Sequence, residues 1–201
     1  MAKKTKKSKR RGRPPLQAAA SHDAILDAVY DLVRETSVRD LTMEAVARRA
    51  NVGKPTLYKW WPSKGELVLA MFRERIAVAI PPARDGETAE QALGRAAGML
   101  IKAFNGELGR VTAGLVAEGQ SEPAIIRKWF DEFIRARRDA NAADIERGKA
   151  TGELSTDADA ELIIDAVFGA IYYRLLFGSA PLTQKFGRDL VAQVFRGVRS
   201  R

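Results

Sequence analysis

Residues 42–61 read Thr-Met-Glu-Ala-Val-Ala-Arg-Arg-Ala-Asn-Val-Gly-Lys-Pro-Thr-Leu-Tyr-Lys-Trp-Trp, and this stretch leaves the chain little conformational choice. Met43, Val46, Ala47 and Ala50 fall at i, i+3, i+4 and i+7, the spacing of one helix face, with Thr42 placed as an N-cap. Asn51-Val52-Gly53 has turn composition and breaks the run. A second run begins at Lys54, and Pro55 is tolerated only in its first turn, where the missing N–H would have had no intrahelical partner. Pro62 stops it. Two short helices joined by so brief a turn have helix-turn-helix spacing. Periodicity turns Val46, Ala47, Ala50, Val52, Leu57 and Trp61 inward. Lys54, Thr56, Tyr58, Lys59 and Trp60 are left outward, and their ammonium groups, hydroxyls, indole N–H and flat faces suit phosphate oxygens and base edges. The plainer alternative makes Tyr58, Trp60 and Trp61 core aromatics; it is adopted for Trp61 alone.

Charge follows the same division. The chain of 201 residues has 34 Lys+Arg against 25 Asp+Glu, a formal +9. Lys3, Lys4, Lys6, Lys7, Lys9, Arg10, Arg11 and Arg13 put eight of those positive charges in the first 14 residues, with no acid among them. The rest is near neutral, except that residues 42–64 carry Arg48, Arg49, Lys54, Lys59 and Lys64 against Glu44 alone. Residues 1–20 therefore read as a disordered basic arm, because like charges repel and the composition buries nothing.

Regular structure is expected from Ser21, a plausible cap for a helix with Ile25, Leu26, Val29, Leu32 and Val33 on one face. Ser63 and Glu66 form an S-x-x-E capping box ahead of Leu67, Val68, Met71 and Phe72. After Pro81-Pro82 and Gly86, amphipathic stretches lie at roughly 87–106, 109–119, 122–147, 157–178 and 183–199. No segment alternates long enough for a strand. The class is all-α, about nine helices: a helix-turn-helix domain over 21–80, then a larger antiparallel helical domain over 81–201.

With no cysteine and one histidine, His22, thiol chemistry and multi-histidine metal sites are excluded. No metal or cofactor is expected. The basic N-terminus lacks the apolar stretch of a secretory signal, and Leu162 to Phe177 is short for a bilayer and interrupted by Asp165 and Arg174. The expected location is the cytoplasm, at the nucleoid, with no membrane partner.

Leu41-Thr42-Met43-Glu44-Ala45-Val46-Ala47, Ala50-Asn51-Val52-Gly53-Lys54-Pro55-Thr56-Leu57-Tyr58 and Trp61-Pro62-Ser63-Lys64 closely resemble the N-terminal domain of TetR-family transcriptional regulators. The resemblance covers about residues 21–68. It implies DNA binding, a C-terminal domain that dimerises and often takes a small effector, and usually repression. By match to the motif, Thr42, Thr56, Tyr58 and Lys64 take phosphate-contacting or positioning roles, and Lys54, Lys59 and Trp60 fall at sequence-reading positions. Gly53 stands where the family commonly has a capping Ser or Thr. Pro55 replaces a common Gly, and Trp60-Trp61 a frequent His-Phe or Tyr-Phe.

Arg11-Gly12-Arg13-Pro14 resembles an AT-hook core, in which Arg11 and Arg13 would lie along a narrow minor groove; a bare polybasic tail is the plainer reading. In the C-terminal part, Met99, Phe104, Trp129 and Phe133 are candidates to line a cavity for a small apolar or amphipathic effector, or else fill a core. The segment 162–177 is apolar on more than one face. With the last helix it resembles the family's four-helix dimer interface, which would comprise Phe168, Ile171, Tyr172, Leu175, Val191, Val194 and Phe195. The leading expectation is a homodimeric regulator of double-stranded DNA with a near-palindromic operator. A weakly specific architectural DNA-binding protein is the alternative. An enzyme is disfavoured, since no nucleophile and base can be assembled.

Overall fold

The computed structural model describes residues 15–76, 84 and 86–200, and for residues 15–20 it describes the helical backbone alone. Nine helices run through them. The first four are α1 (Pro15–Glu35), α2 (Met43–Arg49), α3 (Lys54–Trp60) and α4 (Lys64–Met71), which continues through a π-helical turn, Phe72–Ile76. Then come α5 (Ala89–Phe104) and α6 (Glu107–Ser121). The next, α7, starts as Pro123–Trp129, passes through a second π-helical turn, Phe130–Ile134, and resumes as Arg135–Ala150; α8 (Ala160–Phe177) and α9 (Gln184–Val198) complete the fold. Among the described residues the only β-type pairing is an isolated antiparallel bridge, Leu154 to Arg199. The all-α expectation is met.

One boundary moves. The first helix begins at Pro15, six residues ahead of Ser21, so the disorder expected through residue 20 stops short. Proline is preorganised for a first helical position, and the Ala18-Ala19-Ala20 run behind it has the highest helix propensity available. Residues 1–14, with Arg11 and Arg13, lie outside the described residues.

Local signals fix the other ends. The Thr42 hydroxyl accepts the Ala45 N–H at 3.1 Å, and the Ser63 hydroxyl accepts the Glu66 N–H at 3.2 Å. Only that half of the expected capping box is seen, because the Glu66 carboxylate pairs with Lys128 of α7. α8 is capped by the Asp159 carboxylate, which accepts the N–H groups of Glu161 and Leu162, and ends at Gly178 in the left-handed conformation, φ 60°.

α4 positions the two halves of the molecule. Leu67, Val68, Leu69, Ala70, Met71 and Phe72 are all buried, so this helix is enclosed by α1 on one side and by α6 and α7 on the other. Ser63 donates to Glu122 at 3.2 Å, Arg73 donates to Glu132 at 3.0 Å, and the Phe72 ring meets Phe133 edge-on with centroids 4.9 Å apart. That last contact joins the two π-helical turns. Nothing among the described helices is long and apolar enough to cross a membrane.

Candidate nucleic-acid interface and cavity

α3 has two turns and would not persist alone in water. Its anchors are Leu57, fully buried, and Trp61 just past its end, 6% exposed. Burying a side chain such as Leu57 is worth about 1.5–3 kcal/mol. The opposite face is open: Tyr58 is 48% and Trp60 43% exposed, and Lys54 and Lys59 are exposed beside them, with Thr56 half-buried. The face assignment from periodicity holds for these residues.

The turn before α3 works differently from its composition. The left-handed residue is Asn51, φ 51°, a conformation Asn adopts more readily than most side chains; Gly53 has ordinary extended geometry, φ −74°, and caps α3 with no side-chain hydrogen bond. Lys54 is not idle either. Its ammonium pairs with the exposed Glu44 carboxylate of α2, whose pKa is held below the usual carboxylate value by that hydrogen bond. Arg49 is likewise engaged, donating two bonds to Glu35 at 3.0 and 2.6 Å.

Lys64 is engaged within the protein. Its ammonium donates to the Arg39 carbonyl at 3.1 Å and pairs with Glu118 of α6 at 3.0 Å. It sits at the start of α4, and there the nearest carboxylate belongs to the second half of the molecule. His22 was missed by sequence reasoning beyond its bearing on metals. Its ring lies 5.2 Å from Trp60 and 4.9 Å from Trp61, bracing the exposed indole from α1. No local pattern links residues 22 and 60; only the packing of α1 on α3 does. His22, Asp23 and Glu74 bring three potential metal ligands within 4.8 Å, but the Arg75 guanidinium already pairs with Asp23 at 3.5 Å and Glu74 at 3.7 Å.

A second feature lies in the C-terminal part of the chain. A cavity of about 320 Å³ opens between α5, α7 and α8. Met99 and Trp129 line it as expected; Phe104 and Phe133 do not. Phe104 lies behind the wall, edge-on to Tyr172 at 5.1 Å, and Phe133 is taken up by Phe72. Phe168 and Tyr172, assigned to a dimer interface, line the cavity instead. Burial pushes the Tyr172 phenol up to about 12.

Three more of that set do not reach the surface. Ile171, Val191 and Phe195 are buried within the protomer, where a second copy cannot reach them, and Leu175 and Val194 are half-buried against the same core. α8 turns a different stripe outward. Leu162, Ala166, Gly169, Tyr173 and Leu176, spaced i, i+4, i+7, i+11 and i+14, are exposed, as is Phe177.

Residues 25–71 match the model of bacterial regulatory proteins, tetR family, and residues 83–194 match the tetracyclin repressor-like C-terminal domain. The chain belongs to the TetR family. It is 31% identical over 191 residues to the HTH-type transcriptional regulator YdeS of Bacillus subtilis, covering 95% of each chain. It is 30% identical over 171 residues to the HTH-type transcriptional regulator Rv1556 of Mycobacterium tuberculosis, covering 85% of this chain and 83% of that one. The crystal structure of a TetR transcriptional regulator from Agrobacterium tumefaciens superposes with a TM-score of 0.67 at 26% identity, over 89% of this chain and 94% of that one. As a TetR-family member the chain is a DNA-binding transcriptional regulator and not an enzyme. In it α3 is the second helix of the helix-turn-helix.

Proposed function

We propose that this regulator represses transcription as a homodimer on a near-palindromic operator in the cytoplasm, and that a small apolar or amphipathic effector in the cavity between α5, α7 and α8 releases it. The observation that carries the DNA reading is the face of α3. Two exposed aromatics with polar tips and an exposed lysine stand on a helix anchored from behind by Leu57 and Trp61. Tyr58 and Thr56, with the Thr42 hydroxyl at the start of α2, take phosphate oxygens. Lys59 and Trp60 reach base edges, and Lys54 exchanges Glu44 for the DNA. The stripe of Leu162, Tyr173, Leu176 and Phe177 on α8 supports a self-complementary contact between two copies, since a two-fold axis needs one patch that can face itself.

Footprinting with the full chain on operator fragments selected from genomic DNA tests the α3 assignment. A charge-assisted hydrogen bond is worth about 1.5–3 kcal/mol, so Tyr58→Ala should weaken operator binding on the order of tenfold or more without changing the thermal unfolding midpoint. Unchanged protection by the variant would remove Tyr58 from the interface.

A further inference from the structure

The polar groups on the cavity wall are of two kinds, engaged and open. The charged ones are engaged. Arg138 donates to Asp165 at 2.6 Å and also pairs with Glu161, and Arg137 has a partner within the chain as well. Two guanidinium groups thus stand against two carboxylates, and the charges at the wall cancel. The open groups are uncharged. Asn141 of α7 is only 9% exposed and lines the cavity, yet its carboxamide makes no hydrogen bond among the described residues. It is not sealed off, because the inaccessible side-chain atoms that lack a partner there are Thr112 Oγ1 and Trp129 Nε1. The amide therefore keeps some accessible surface, and the surface beside it is the cavity. Tyr172 of α8 is in the same condition: its half-buried phenol lines the cavity without a hydrogen bond and without being sealed. The charge its oxygen senses is Arg137, one helical turn before Asn141, so the phenol is turned toward the helix that carries the amide. Polar groups so deep in a protein nearly always have partners, and a ligand that displaces water from them must replace the hydrogen bonds or lose affinity.

We propose that the cavity selects an uncharged amphipathic molecule, whose amide or hydroxyl head exchanges hydrogen bonds with the Asn141 carboxamide and the Tyr172 hydroxyl while its apolar body lies against Met99, Phe130 and Phe168. This rests on the reading of the cavity as the effector site. A carboxamide and a phenol each donate and accept, so the head that satisfies both is one that also does both. A carboxylate brings no donor for the Asn141 oxygen, and an ammonium no acceptor for its NH2 group. Either ion would also leave water for a wall whose charges already cancel, Arg138 being committed to Glu161 and Asp165.

Calorimetric titration of the full chain at pH 7 with probes of one shape separates the possibilities: para-ethylbenzamide and para-ethylphenol as neutral polar probes, para-ethylbenzoate and para-ethylbenzylamine as the ions, and ethylbenzene as the body alone. The two neutral polar probes should bind at least tenfold tighter than either ion and severalfold tighter than ethylbenzene. Asn141→Leu, close to asparagine in volume, and Tyr172→Phe, which keeps the ring, should each weaken the benzamide severalfold. Ethylbenzene should stay within about twofold in both variants, which shows the cavity intact. If the benzoate or the benzylamine binds as tightly as the benzamide in the unaltered chain, the inference of an uncharged ligand falls. If ethylbenzene matches the benzamide, or neither variant weakens the benzamide, Asn141 and Tyr172 do not select the ligand and the cavity stands as an apolar site. If no probe binds, the effector-site reading fails and takes the inference with it.

Discussion

At α3 the residue that bends the chain and the residue that caps the helix are different, and the sequence motif blurs them. Asn51 takes the left-handed conformation, while Gly53 has a geometry any residue adopts and open space around it; a Cβ there would meet only Pro55 Cδ, at 3.6 Å. Gly53→Ser should therefore cost nothing sterically, supply the missing cap and reduce the freedom of the unfolded chain. A gain of about 0.5–1 kcal/mol in urea unfolding is expected. A loss of stability would show that the turn needs glycine after all. Residues whose roles depend on near neighbours were legible in this way: Thr42 as cap, Leu57 and Trp61 as anchors, Tyr58 and Trp60 as exposed. His22 and Lys64 were not, because their partners, Trp60 and Trp61 for one and Arg39 and Glu118 for the other, lie 25 or more residues away and are brought near only by tertiary packing.

Helices and their ends were legible from Pro, Gly and capping residues, but which face of a uniformly apolar helix meets what was not. α8 divides its circumference three ways: Ile163, Ile164, Val167 and Ile171 into the core, Phe168 and Tyr172 onto the cavity, and Leu162, Tyr173 and Leu176 outward. Periodicity has no contrast to read in such a helix, so Ile171, which is fully buried, was placed on an outward face. The seam between the halves has a comparable hidden element in α6, where Gly114 admits Val38 from the α1–α2 loop. A Cβ at Gly114 would stand 2.6 Å from Val38 Cβ. Gly114→Ala should thus lose about 1 kcal/mol net, overpacking of about 1–3 kcal/mol being partly offset by alanine's better helix propensity. Val38→Ala does not remove Cβ, but Val38→Gly does, and in the double variant the Gly114→Ala penalty should disappear. A double-mutant cycle with no coupling energy would place the seam elsewhere.

At the scale of the whole molecule, charge and symmetry are separable, and two variants separate them. The body of the chain is nearly neutral, while each chain brings eight basic residues in its first 14. Each phosphate neutralised steepens the dependence of log affinity on log salt by about 0.9. Deleting residues 1–14 should therefore lower affinity and flatten that slope by several units, yet leave the preference for a palindrome, as the proposed reading by α3 requires. Tyr173→Glu with Phe177→Glu does the reverse. Burying two like-charged pairs across a two-fold axis opposes association, so the chain should sediment as a monomer, lose palindrome preference and keep arm-driven, salt-sensitive binding to any duplex. The arm's Arg11-Gly12-Arg13-Pro14 adds a further discriminant: its loss should cost more on A·T-rich flanks, where the minor groove is narrow, than on G·C-rich ones. If deletion of the arm instead abolished all sequence preference, the chain would be acting as an architectural protein through its tail, with α3 as a bystander. Retained palindrome preference with a flattened slope assigns affinity to the arm and address to α3.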